Sequence, residues 1–176
     1  MSNYIRFYNN KYQYVFFTIV TYNRQEILID NINLLKAAFR YVLSKFDFEI
    51  FACSILKNHL HLILKLENSN DYSEIIRLFK YYFSCKLSKN EEISKSKLNK
   101  REKGIWQRRF WEHTIRNETD LHRHIDYIHY NSYKHYQIIP RNWQYSSFNK
   151  FVKLGYCDKN WCNIDNKNKI NQLNYE

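Results

Sequence analysis

Residues 59–66 read His59-Leu60-His61-Leu62-Ile63-Leu64-Lys65-Leu66, and the parity of this stretch decides the fold. A short aliphatic run of this kind predicts a strand, on which successive side chains point to opposite faces. Leu60, Leu62 and Leu64 therefore share one face, and His59 and His61 share the other. The leucines suit a helix-covered core. The two imidazoles are then expected together on an open face of the sheet, with Cβ atoms about 7 Å apart by strand rise. Lys57-Asn58 reads as a turn back to a strand over 48–56, so the two strands form a hairpin.

Outward from the hairpin, residues 13–22 are β-branched and aromatic and read as a buried strand. Asp30 or Asn31 can cap a helix running to about Phe46, with Ile32, Leu35, Phe39, Val42 and Leu43 on one face. A second amphipathic helix is expected from Ser73 to about Leu87, a fourth strand over 105–116, and a helix from Glu118 to about Lys134. Strand, helix, strand, strand, helix, strand is the order of the ferredoxin-like split βαβ, an α+β fold. It implies an antiparallel sheet with helices on one face and the active site on the open face. One domain is expected over 1–176. Its catalytic core spans about 13–135, with a basic loop at 88–103 and a C-terminal extension over 136–176 that includes a short helix from Ser146 to Leu154.

The chain has 176 residues, 44 % hydrophobic, which is enough for a core without disulfides or structural metal. A net charge of +11 favours a polyanionic partner, and nucleic acid is the commonest. No apolar run approaches the roughly 18 residues of a membrane span, and Met1-Ser-Asn-Tyr-Ile-Arg6 has no signal-peptide core, so a cytoplasmic protein is expected. Cys53 and Cys85 lie in apolar patterns and read as buried. Cys157 and Cys162 lack a second pair to complete a zinc site.

The helix over 119–135 supplies what two histidines lack. At about 100° per residue, Leu121, Ile125 and Ile128 form the stripe packed on the sheet. Asp120, His124, Tyr127, Asn131 and Lys134 fall beside it, and Tyr127 and Asn131 stack one turn apart. An amide oxygen is a hard ligand for Mg2+ or Mn2+, and with two imidazoles it half fills an octahedron. A phosphate oxygen can complete the sphere, with a phenol one turn away to attack phosphorus. Each motif also has a plain structural reading: half-exposed strand histidines, and an ordinary amphipathic margin in a chain holding 16 tyrosines.

In combination the residues resemble a known family. His59-Leu60-His61 resembles the histidine–hydrophobic–histidine motif of the HUH endonucleases. Trp106-Gln-Arg-Arg-Phe-Trp-Glu-His113, Asp126-Tyr-Ile-His-Tyr-Asn131 and Lys134-His135 resemble the single-tyrosine transposases, most closely the REP-associated ones. The resemblance runs from about Tyr14 to Phe148. It implies Tyr127 as nucleophile, His59, His61 and Asn131 as metal ligands, and hairpin-bearing single-stranded DNA as substrate. It also implies a 5′-phosphotyrosine intermediate with release of a 3′-OH, and a monomer in preference to a homodimer. Two positions depart from the family pattern. Asn131-Ser132 stands where Asn-Pro is usual, which lengthens the helix, and Lys57-Asn58 stands where a proline often precedes the first histidine.

Arg108, Arg109, Arg116 and Lys134 are candidates for binding the DNA backbone. Arg6 lies in Tyr4-Ile-Arg-Phe-Tyr8, which resembles the part of the family that reads a short tetranucleotide beside the hairpin. Trp106 and Trp111 are suited to base stacking or to the core, and strand alternation sends at least one inward. Tyr130 and Tyr133 are competing phenols set off Asn131's margin. Two other readings stand beside a transposase: a non-catalytic hairpin DNA- or RNA-binding protein on the same fold, and a metal hydrolase with a water nucleophile.

Overall fold

The computed structural model describes residues 11–67, 72–87 and 104–161. Its strands are β1 (Gln13–Val20), β2 (Phe48–Ile55), β3 (His59–Leu66) and β4 (Trp111–Thr114). Its helices are α1 (Ile32–Leu43), α2 (Tyr72–Lys86), α3 (Glu118–Tyr136) and α4 (Phe148–Lys153). The sheet order is β2-β3-β1-β4 and every pairing is antiparallel. This is the expected α+β arrangement. Arg6, the 88–103 loop and Cys162 lie outside the described residues.

The central strands are buried on both faces, which is why β1 reads as an unbroken apolar run. One face carries Val15, Phe17, Leu60, Leu62 and Leu64 against Leu35, Ala38 and Val42 of α1 and Ile75, Phe79 and Phe83 of α2. The opposite face carries Phe16 and Ile63 against Leu121, Ile125 and Ile128 of α3 and Phe148 and Phe151 of α4. The stripe on α3 thus packs on the sheet as its spacing requires, but on the histidine side. That corrects one expectation: the histidine-bearing face is not open. The leucine parity held, yet the apolar stripe of α3 has no free sheet surface except the histidine face, because α1 and α2 fill the other.

β4 is shorter than the expected 105–116. From the pair Thr18/Trp111 to the bridge Thr21/Trp106, β1 advances three residues and its partner five. The two extra residues let Arg108 and Arg109 bow out into solvent after Gln107, whose N–H still donates to the Val20 carbonyl at 2.9 Å, while Trp106 turns onto Phe79 and Phe83 with centroids 5.7 and 5.2 Å away. Cys85 is exposed, against expectation, while Cys53 is partly buried and packs against the core. Cys85 sits off the stripe formed by Ile75, Ile76, Phe79 and Phe83 on α2.

α3 begins at Asn117, whose side-chain oxygen accepts from the Asp120 N–H at 2.9 Å. Glu118 and Asp120 in the first turn, and Lys134 and His135 in the last, complement the helix dipole. Without proline at 132 the helix continues to Tyr136, as the Ser132 substitution implies, and Gln137 closes it in a left-handed conformation. Among its buried residues, His129 donates to or accepts from Ser147 Oγ at 2.9 Å, and burial pushes its imidazole down to about 3.

That burial has a consequence for stability. The folded protein holds His129 neutral, whereas the unfolded chain protonates it near 6.5. The unfolded state therefore binds the extra proton, and stability falls as pH drops from about 6.5 towards 3, by up to about 1.4 kcal/mol per unit. Urea unfolding across that range is expected to show this slope in the wild type and a smaller one in His129→Gln.

Candidate active site

Antiparallel pairing sets Thr18 of β1 opposite His61 of β3, with Thr18 Oγ1 2.9 Å from His61 Nδ1. The neighbouring Asn58 Oδ1 stands 2.6 Å from His59 Nδ1. An amide oxygen only accepts, so His59 Nδ1 carries the proton and its Nε2 the lone pair, the form that binds metals. The two rings meet edge to face with centroids 5.0 Å apart. Both are interior, 2 % and 0 % exposed.

α3 lays Tyr127 against them. Its ring stands edge-on to His61 at 5.1 Å and to Phe16 at 6.0 Å, and the side chain is 1 % exposed. One turn on, the buried Asn131 turns its amide nitrogen back to the Tyr127 carbonyl at 2.7 Å. Its Oδ1 meets no hydrogen-bond donor among the described residues. A buried amide oxygen left in this way is costly unless something else binds it. Two imidazoles and such an oxygen suit a hard divalent cation. Lys134 Nζ lies over the Tyr127 ring, 5.3 Å from its centroid, and His135 packs edge-on against His59 at 4.9 Å.

The other predicted cations divide between two places. Arg109 lines a cavity of about 290 Å³ that also has His59, Thr18, Arg24 and Trp111 in its walls. Arg116 lines a separate cavity of about 340 Å³ at the start of α3, with His113, Asp120 and Arg123. Arg108 is exposed on the bowed segment, and its carbonyl accepts from Lys80 at 3.2 Å. Tyr130 is buried and packs on Tyr133 at 5.5 Å.

Sequence reasoning did not single out the cluster His113, Asp120 and His124, whose donor atoms lie within 4.8 Å of one another. Asp120 Oδ2 is 2.8 Å from His113 Nε2, and Asp120 Oδ1 is 3.2 Å from His124 Nδ1. The two imidazoles are stacked at 4.7 Å and only 12° from parallel. Lone pairs lying in nearly parallel planes do not converge on a common point, so the carboxylate serves as a bridge between two stacked rings. Burial by itself raises the Asp120 carboxyl. The hydrogen bonds from His113 and the Arg116 N–H and the charges of both imidazoles outweigh it, leaving Asp120 below the usual carboxylate range. Burial pushes His124 down, against the pull of Asp120.

This bridge ties β4 to the first turn of α3, and His124 packs on the Phe16 ring that Tyr127 also touches. Asp120→Ala removes the acceptor for His113 and for the Arg116 N–H, while His124 Nδ1 keeps its 2.8 Å bond to the Asp120 backbone carbonyl. A loss of about 1–3 kcal/mol is expected, read as a lowered denaturant midpoint with unchanged slope. The cue in the sequence was the position of Asp120 and His124 on the Tyr127 stripe; the pairing with His113 depends on tertiary structure.

The family model of the IS200-like transposases matches residues 6–131. A Haemophilus influenzae protein named for the REP-associated tyrosine transposases is 41 % identical over 165 residues, covering 92 % of this chain and 93 % of its own length. The REP-associated tyrosine transposase of Escherichia coli is 33 % identical over 165 residues, covering 92 % and 91 %. A solved REP-associated tyrosine transposase bound to a REP hairpin superposes with a TM-score of 0.72 at 32 % identity, covering 93 % of this chain and 92 % of that one. The chain is therefore a transposase that belongs to the IS200-like family, among its REP-associated tyrosine transposases.

Proposed function

We propose that the protein cleaves and rejoins single-stranded DNA beside hairpins, using Tyr127 as nucleophile and a divalent cation, Mg2+ or Mn2+, held by His59, His61 and Asn131. The observation that carries this reading is the meeting of Tyr127 with His61 at 5.1 Å, beside His59, with the buried Asn131 one helical turn on and bonded to the Tyr127 carbonyl. A hairpin-bound relative and a net charge of +11 support a DNA substrate.

When bound, the cation supplies Lewis acidity at the scissile phosphate. Thr18 and Asn58 hold the two imidazoles in orientation through their Nδ1 atoms. The Tyr127 oxygen, having given up its proton, attacks phosphorus. The P–O bond to the 3′ oxygen breaks, and that oxygen takes a proton to leave as a 3′-OH. The new bond joins the 5′ phosphate to Tyr127. One phosphoester replaces another, so the reverse attack by a 3′-OH reseals the strand without an external energy source. Tyr127 is buried in the present state, and cleavage requires its hydroxyl to become accessible to the strand. Arg109, facing the cavity beside His59, and Lys134, over the Tyr127 ring, are placed to meet phosphate charge; Arg108 and Arg116 extend the basic surface.

The test is incubation of the protein with end-labelled, hairpin-bearing single-stranded DNA and Mg2+ or Mn2+. A protein–DNA adduct that survives denaturation, with a shorter strand ending in 3′-OH, is expected. Cleavage without an adduct would overturn the reading in favour of a water nucleophile. Hairpin binding with neither product would leave a non-catalytic binding protein.

A further inference from the structure

The cavity beside His59 has features that the two histidines and the nucleophile do not explain. Its volume of about 290 Å³ is at the lower end of ligand pockets, roughly 300–1,000 Å³, too small for a duplex. Its walls combine a flat aromatic ring, Trp111, with two guanidinium groups, Arg24 and Arg109, over a floor that includes Thr18 and His59. Trp111 is 39 % exposed, unlike Trp106, which faces the core.

Both arginines are set at this rim by local departures from regular structure. Arg109 is carried on the segment that bows out of the β4 ladder. Arg24 follows Asn23 in the turn after β1, and both adopt φ 51°, a left-handed conformation that asparagine tolerates and that is unfavourable for arginine. The turn is held in place: Tyr22 N–H donates to the Ile105 carbonyl at 2.9 Å, and the Thr21 hydroxyl reaches the carbonyls of Gln25 and Asn58 at 2.8 and 2.9 Å. Strained backbone held by surrounding contacts clusters at active sites and ligand clamps.

Trp111 is supported from behind. Its indole stacks on His113 at 5.9 Å and 12°, and His113 stacks on His124 at 4.7 Å and 12°. Phe16 adds an edge contact to the indole at 5.4 Å. The three-ring column, bridged below by Asp120, fixes the indole plane at the mouth of the cavity. An exposed, braced aromatic beside two cations is the combination that recognises an unpaired base and its phosphates.

We infer that this cavity binds one unpaired nucleotide of the DNA strand next to the scissile phosphate, its base stacked on Trp111 and its phosphates met by Arg24 and Arg109. The assignment rests on the single-strand DNA reading above. It gives the Asp120 bridge a second role as the support of a base-stacking platform.

The experiment compares the full chain's affinity for a DNA hairpin with an unpaired flank and for the same hairpin without one, with 2-aminopurine in the flank as a fluorescent reporter. Wild type is expected to bind the flanked hairpin more tightly and to quench the reporter. Trp111→Ala should lose about five- to one hundred-fold of affinity for the flanked DNA alone, with quenching abolished. Trp111→Phe should recover most of it, and Arg24→Ala should flatten the salt dependence. An unchanged flank advantage in Trp111→Ala would overturn the inference. So would an equal loss on both DNAs, which would make the indole structural. Adduct formation by the wild type separates the two readings: if the adduct forms while Trp111→Ala keeps the flank advantage, only the nucleotide pocket is lost.

Discussion

Tyr127→Phe is expected to abolish the covalent adduct and to lower strand cleavage by about a thousand-fold or more, the scale on which removal of a nucleophile acts. The substitution deletes one oxygen and leaves the ring, so contacts with His61 and Phe16 at 5.1 and 6.0 Å persist. Folding and hairpin binding should therefore survive, and the loss should appear in the chemical step. Single-turnover cleavage of labelled DNA, with a parallel binding titration, separates the two. A variant that still cuts at near wild-type rate would transfer the chemistry to water or another phenol.

The second large effect is expected at His61. Replacing it with alanine removes one of the three proposed ligands, at a position 0 % exposed. Metal affinity should fall by more than about 100-fold, since even partners behind the ligands are worth roughly 10–100-fold. The milder Thr18→Val, which deletes only the hydroxyl 2.9 Å from His61 Nδ1, should fall within that smaller range. Titration with Mn2+ followed by paramagnetic resonance reads both directly. Affinity for a hairpin without an unpaired flank, measured in EDTA, should be unchanged in Thr18→Val, because its effect on the metal passes through the ring orientation.

The sequence disclosed this site unevenly, for physical reasons. Alternation on β3 and the 3.6-residue period of α3 are local properties, so the pairing of His59 with His61 and of Tyr127 with Asn131 was legible. Which sheet face α3 covers is not local. Leu121, Ile125 and Ile128 demanded a sheet surface, and only the occupation of the leucine face by α1 and α2 directs them to the histidines. Thr18 was hidden because it depends on the register of β1 against β3.

The segment over 105–116 shows the opposite failure. Its composition is strand-like throughout, but two extra residues break the ladder between Trp106 and Trp111 and send the two tryptophans to different environments. Bulges leave no trace in hydrophobic pattern, since the alternation resumes on the far side. Cys85 was misread for a simpler reason: apolar neighbours in sequence surround it, but its own angle on α2 faces solvent. Asp120 and His113, seven residues apart, meet across the turn between β4 and α3, a contact that neither strand nor helix periodicity encodes.

Tryptic digestion of the denatured protein–DNA product followed by fragment-ion mass spectrometry tests the proposed chemistry at a single atom. Cleavage after Arg123 and Lys134 yields a peptide over 124–134 that contains Tyr127, Tyr130 and Tyr133. The expected spectrum places a 5′-phosphonucleotide on Tyr127 and leaves the other two unmodified. A nucleotide on Tyr130 or Tyr133, or cleaved DNA with no modified peptide, would contradict the assignment of Tyr127 as the nucleophile.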